Sequence, residues 1–138
     1  MTERLRELSR EECLQMLQAH SVGRIAVTHQ ALPVIIPVNY VVDGNTIVFR
    51  TRREGILGRA CRSAVVAFEV DDIAEDGQSG SSVVVVGVAD LLDSSEQLRA
   101  LHSGLASAVA DQADQFVRIT PGTVTGRQVL PVSERVPV

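Results

Sequence analysis

No lysine and no tryptophan occur in the 138 residues, and only 3% of the chain is aromatic. All 13 basic side chains are therefore arginine, planar forks that stay charged at any pH a protein meets. With so few aromatics the core must be built from Val, Leu, Ile and Ala, and the large share of valine favours strands. The same shortage leaves few rings to stack bases, and a net charge of -4 counts further against nucleic acid as a partner. Cysteine is scarce too: Cys13 and Cys61 are too few for a disulfide framework and fit no metal-ligand spacing, the pattern of a reducing compartment. His20, His29 and His102 are scattered, so no metal site is expected. No stretch reaches signal-peptide or membrane-spanning length, and a cytoplasmic protein without membrane contact is the expectation. There is no Ser-His-Asp order, no phosphate-binding glycine loop and no paired-carboxylate motif.

What is present is a succession of short, well-punctuated elements. Hydrophobic residues make up 45% of the chain, enough for one core, so a single domain over residues 1–130 is expected, with 131–138 as a flexible tail carrying Pro131 and Pro137. Ser9 followed by Glu12 forms a capping box that starts a helix running to about His20, with Cys13, Leu14, Met16 and Leu17 as its apolar stripe. Residues 23–29 alternate as a strand, and a turn at Gln30-Ala31 leads into Leu32 to Val42. Pro33 and Pro37 cannot donate to a ladder, so that strand should be an edge or carry a bulge near Pro37. Asp43-Gly44-Asn45 is a hairpin turn into Thr46 to Thr51. A short helix is expected over Gly55 to Arg62, a strand over Ala64 to Val70, and a polar loop from Asp72 to Ser82. Val83 to Val86 and Val88 to Leu92 form a strand with a bulge or close approach at Gly87. Ser94 with Gln97 repeats the capping box ahead of a helix with Leu98, Leu101, Leu105 and Val109 on one face. Phe116 to Thr120 and Val124 to Val129 are strands on either side of a turn at Pro121-Gly122. This order of elements predicts a mainly β domain, a six-stranded antiparallel split barrel of Greek-key type with peripheral helices, rather than a doubly wound parallel sheet.

Charge is distributed unevenly. Six of the arginines lie between Arg24 and Arg62, three of them in Val48-Phe49-Arg50-Thr51-Arg52-Arg53, whereas Glu69 to Glu96 holds acids and no arginine. In an acidic chain a local cluster of forks fits one phosphate-sized ligand, because guanidinium groups match phosphate oxygens bidentately. A second reading pairs the same arginines with Glu54 and the acidic 69–76 block as a solvated surface. Cys61, between Arg59 and Arg62, is either a redox thiol with lowered pKa or a buried structural residue.

Five segments in order carry a resemblance: Pro37-Val38-Asn39-Tyr40, Val42-Asp43-Gly44 to Phe49-Arg50-Thr51, Val66-Ala67-Phe68-Glu69-Val70-Asp71-Asp72, Ser82-Val83-Val84-Val85-Val86-Gly87, and Val117-Arg118-Ile119 with Val124-Thr125-Gly126-Arg127. Over about residues 8 to 129 the chain resembles the pyridoxamine 5'-phosphate oxidase-like proteins. The resemblance implies an FMN-binding split barrel, a homodimer with cofactor sites at the subunit interface, and a small-molecule substrate. It implies that the flavin phosphate is held by the Phe49-Arg50-Thr51 strand end and a basic residue nearby, and that the ring lies along Pro37-Val38-Asn39. The cofactor-binding set that follows is Pro37, Val38, Asn39, Tyr40, Phe49, Arg50, Thr51, Arg52, Leu57, Ser82 and Val83, with Tyr40 and Arg118 as substrate contacts. Where many relatives carry a lysine this chain has Ile56, and Ser81 replaces a tryptophan. Three classes stay open: a flavin-dependent oxidoreductase, a cofactor-binding or redox-sensing protein without turnover, and a partner-binding barrel, with a deazaflavin as alternative to FMN.

Overall fold

Alternation of small β-branched side chains decides which face of each strand turns inward. The computed structural model describes residues 4–102 and 114–131. In chain order the elements are β1 (Leu5–Glu7), α1 (Arg10–Ala19), β2 (Val22–His29), β3 (Leu32–Asp43), β4 (Thr46–Thr51), α2 (Ile56–Ala60), β5 (Ala64–Ile73), β6 (Gly80–Leu91), α3 (Ser94–His102) and β7 (Gln115–Val129). All pairings are antiparallel. The ladders β2–β3, β3–β4, β4–β7, β7–β6, β6–β5 and β5–β2 close a six-stranded ring. The hairpin-linked β2, β3 and β4 are followed by β5, which returns beside β2, and this is a Greek key. A seventh strand, β1, pairs with Arg127 to Val129 at the edge of β7 and was not expected, since Leu5–Glu7 is exposed and shows no alternation.

Inside the ring lie Ile25, Ile47, Phe49, Phe68, Val85 and Ile119, all at most 1% exposed, with Cys13 and Leu17 of α1 and Leu57 and Cys61 beside α2 joining the same core. A smaller cluster of Val48, Leu92, Ala100 and Phe116 sits outside the ring. The capping box at α1 forms as expected, with the Ser9 hydroxyl accepting from the Glu12 amide and the Glu12 carboxylate accepting from the Ser9 amide.

Three expectations are corrected. Pro121-Gly122 does not turn the chain: β7 runs through it, and the irregularity appears as a register shift at Val86/Gly87. Gly87 is needed there because a Cβ would lie 2.1 Å from the Thr120 carbonyl oxygen. The polar loop shrinks to residues 74–79, because Asp71 and Asp72 pair with Ser82 and Ser81 and extend the β5–β6 ladder. The cap of α3 is Asp93 rather than Ser94: its carboxylate accepts from the Glu96 amide and Glu96 accepts from the Asp93 amide. Leu105 and Val109, expected on the third helix, and residues 132–138 of the tail lie outside the described residues.

The split in the barrel falls on β3. It pairs with β2 over residues 32–39 but with β4 only over residues 40–43. The Tyr40 amide donates towards β2, to the Ser21 carbonyl. Alternation then puts positions 33, 35, 37 and 39 with their main-chain nitrogens on the open side. Pro33 and Pro37 occupy two of those positions, where no ladder bond is lost. Among the described residues no helix is long and apolar enough to cross a membrane.

Candidate functional site

Ile47 and Phe49 face into the barrel, so Val48 and Arg50 face out, towards the cluster that contains Phe116. Arg50 is registered opposite Phe116 on β7, and its guanidinium carbon stands 5.1 Å above the centre of that ring. Its Nε is buried and has no hydrogen-bond partner among the described residues. An orphan donor on a charged side chain costs free energy, and native proteins keep few of them without a functional reason. On β3 the ladder with β4 ends at Tyr40 opposite Phe49, so Asn39, which is exposed, is one step beyond it on Arg50's side. Asn39, Arg50 and Phe116 thus form a row across three strands at the point where β3 leaves β4. The row presents an amide, a cation and an aromatic platform, the last of which sequence reasoning missed; its only sequence signal is one apolar residue out of phase with Val117 and Ile119.

The arginine cluster divides in two. Arg59 and Arg62 each lie 3.6 Å from Glu54, and Arg24 lies 3.3 Å from Glu69 and 3.2 Å from Asp71. Arg53 is pinned by its amide to Asp114 at 2.8 Å and by its side chain to Gln115 at 3.3 Å. For Arg24, Arg59 and Arg62 the surface-pairing reading holds, whereas Arg53 is held by Asp114 and Gln115 rather than by Glu54 or the acidic block. Among the described residues no carboxylate forms an ion pair with Arg50 or Arg52. Arg52 is exposed at the end of β4, in a turn closed by the Gly55 amide donating to the Arg52 carbonyl. Gly58 holds α2 against that turn, since a Cβ would come within 2.1 Å of the Arg53 carbonyl oxygen and 2.4 Å of that of Arg52. The helix itself is five residues long, too short for its dipole to add much at the site.

Several residues grouped with the ligand by sequence turn their side chains elsewhere. Tyr40 is 2% exposed, donates its hydroxyl to the Leu17 carbonyl at 2.6 Å and meets Phe68 edge-on at 4.8 Å. Burial pushes its phenol up to about 12, and its side chain is a core group rather than a substrate contact. Phe49, Leu57 and Val83 are buried in the barrel core and Val38 packs against it, so these residues have only main-chain groups to offer a ligand. Thr51 is half-buried next to Arg50 on the opposite face of β4, and Pro37 is exposed two positions before Asn39. Ser82 pairs with Asp71 on β5 and Arg127 on β7, and Val83 with Val70 and Gly126, away from the β4–β7 pairing that carries Arg50. Arg118, on the same face as Phe116, is engaged by Glu96 at 2.8 Å.

Cys61 is fully buried, and burial pushes its thiol up to about 12, which removes the redox-thiol reading. Among the described residues no group of three or more His, Cys, Asp or Glu is placed to hold a metal ion.

Residues 9–128 match the pyridoxamine 5'-phosphate oxidase family. An uncharacterized protein of Mycobacterium tuberculosis is 36% identical over 129 residues, covering 90% of this chain and 85% of that protein. The structure of the FAD binding protein from Mycobacterium smegmatis superposes with a TM-score of 0.74 at 33% identity, over 89% of this chain and 97% of that one. A FAD-binding protein from Mesorhizobium loti gives a TM-score of 0.73 at 25% identity, over 91% and 98% of the two chains. The match takes in the strands of the ring, and with them the point where β3 parts from β4: this chain belongs to the pyridoxamine 5'-phosphate oxidase family.

Proposed function

We propose that the chain binds a flavin nucleotide where β3 parts from β4, and that it serves as a flavin-dependent oxidoreductase on a small molecule. The observation that carries the reading is the buried, unpartnered Nε of Arg50 beside Asn39 at an open strand edge. Arg50 and Arg52 supply two cations without carboxylate partners for the phosphate, and Asn39 supplies a donor and an acceptor for a heterocycle edge. The main chain of β3 from Pro37 to Asn39 offers carbonyls that no neighbouring strand uses on that side. The bound flavin would supply the redox chemistry; the protein's part is to anchor it, orient it and keep water from its face. The resemblance favours FMN, and the two similar structures are of FAD-binding proteins.

Within this proposal the working unit is a homodimer. Ile35, Ala26, Ala67 and Val86 are successive partners across β3, β2, β5 and β6, and form an apolar stripe on the outside of the barrel. Ile35 is 70% exposed, and Val65 beside the stripe 68%. A second copy covering this face would explain so much uncovered hydrocarbon. The direct test is an absorbance spectrum of the purified protein with and without added flavin, followed by a nicotinamide donor. Flavin bands that bleach on reduction are expected. A protein that stays colourless with both FMN and FAD overturns the proposal, and a monomer in sedimentation with flavin bound overturns the dimer alone.

A further inference from the structure

Where α1 lies over the barrel, a cavity of about 60 Å³ opens between the helix, the β3–β4 hairpin and β7. Its helix side is a single stripe: Arg10, Leu14 and Leu17 follow at i, i+4 and i+7, so a guanidinium stands at the end of a row of leucines. Its strand side is Val42 and Ile47, cross-strand partners next to the hairpin, together with Val124 of β7. The ladder between β4 and β7 ends at Ile47 opposite Ile119. Beyond it, Pro121 pairs with Gly87 and Thr123 with Val86, so Gly122 is left without a partner on β6. This is a bulge, and bulges bend the strand that carries them and gather at barrel rims and beside binding sites. Here the bend parts β7 from the hairpin and leaves a mouth that α1 roofs without filling, with Leu14 still 36% exposed.

The lining carries one charge, and it is positive. No acid lines the cavity, and among the described residues no carboxylate forms an ion pair with Arg10. The Thr46 hydroxyl is spent on the Asp43 carbonyl, but the side-chain amide of Asn45 beside it has no hydrogen bond among the described residues. Two unused donors at the rim of a hydrocarbon pocket select an anion with an apolar tail, and a carboxylate matches the guanidinium fork. Size narrows the choice. At about 15 Å³ for each water-sized group, a cavity of about 60 Å³ takes roughly four heavy atoms, too few for an aromatic bicycle and enough for a short alkyl chain. We infer that the mouth under α1 is a binding site for a small monocarboxylic acid, with a tail of about four carbons lodged among Leu14, Leu17 and Val124 and the carboxylate held by Arg10 and Asn45. The inference does not depend on the flavin site: Val48 and Arg50 face the outside of the barrel, whereas Val42 and Ile47 pack on its core.

The test is a titration of the full chain with pentanoate, pentanamide and acetate, followed by calorimetry and by the methyl NMR signals of Leu14 and Val124. Pentanoate should bind saturably and shift both signals. Pentanamide has the same shape without the charge and acetate the same charge without the tail, and each should bind at least about tenfold more weakly. Arg10→Gln should weaken pentanoate about tenfold, or about 1.4 kcal/mol, and leave pentanamide unchanged. Arg10 is exposed and the helix is capped by Ser9 and Glu12, so this variant keeps the fold, and the comparison of the three probes on the wild type stands without it. Absence of saturable pentanoate binding, equal affinity for pentanoate and pentanamide, or a pentanoate affinity that Arg10→Gln does not change overturns the site. Acetate binding as tightly as pentanoate also overturns it, since the cavity would then contribute nothing.

Discussion

Replacing Arg50 by methionine separates a ligand-binding arginine from a structural one, because the two roles give opposite signs for stability. In the free protein the Arg50 Nε is buried and unpartnered among the described residues, and removing such a donor relieves a penalty of about 1 to 3 kcal/mol. Against this stands the loss of the stacking of the guanidinium on Phe116 at 5.1 Å, worth about 0.5 to 1 kcal/mol at a partly exposed site. Methionine is unbranched and fills the space of the arginine stem, so no large cavity opens beside Val48 and Phe116. The difference leaves Arg50→Met between neutral and about 2.5 kcal/mol more stable than the wild type in urea unfolding without ligand. The same variant should bind flavin nucleotides more weakly by about 1.5 to 3 kcal/mol, the worth of a hydrogen bond to a charged group, measured by fluorescence titration. A residue that stabilises the protein when removed and disables binding at the same time is held for function. A loss of stability above about 1 kcal/mol with unchanged flavin affinity would refute the reasoning, since it would make Arg50 an outer-face packing residue.

Tyr40→Phe should cost about 1 to 2 kcal/mol in urea unfolding, since the Leu17 carbonyl loses its buried partner; a neutral result would mean that water replaces the hydroxyl. The carboxyl of Glu12 is held down at about 2 by its hydrogen bond to Arg6, then by the Ser9 amide. A lowered carboxyl contributes stability that is complete above its unfolded value and disappears as pH falls through the folded one, so the cap should weaken between pH 4.5 and about 2. Glu12→Gln should remove that part of the acid dependence, and an unchanged acid-unfolding profile would exclude the ion pair with Arg6. Cys13 and Cys61 are buried and free, so neither should react with a thiol reagent in the native protein at neutral pH, and both should react in denaturant; rapid native labelling would contradict the packing at α1 and α2.

What the sequence made legible was whatever depends on near neighbours. Ser9 and Glu12 are three residues apart and find each other in any helix that starts there, and Gly44, at φ 64°, answers to the hairpin signal around it. Contacts between distant segments were not legible. Leu5 becomes a strand only because Val129 lies alongside it, and Pro121 stays in β7 only because Gly87 gives way opposite it. At Asp93-Ser94-Ser95 three capping residues stand together, and the choice among them is set by the position of Glu96 rather than by residue type. The site shows the same division. Arg50 was visible as part of a cluster, but its separation from Arg53, Arg59 and Arg62 depends on where Glu54, Asp114 and Gln115 come to lie. Tyr40 and Asn39 are adjacent in one motif, and the period of two along β3 sends one into the core and the other to the surface.

The placement of Pro33 and Pro37 bears on the protein's behaviour at high concentration. An apolar strand with one flank bare is a template on which an identical strand can grow, the first step of a fibril. On β3 the flank that lacks a neighbour is also the flank from which two of the amide hydrogens have been removed, in a segment that includes the largely exposed Ile35. An incoming strand would find acceptors there and too few donors to zip along. The barrel can keep its seam open without inviting endless copies of itself to close it.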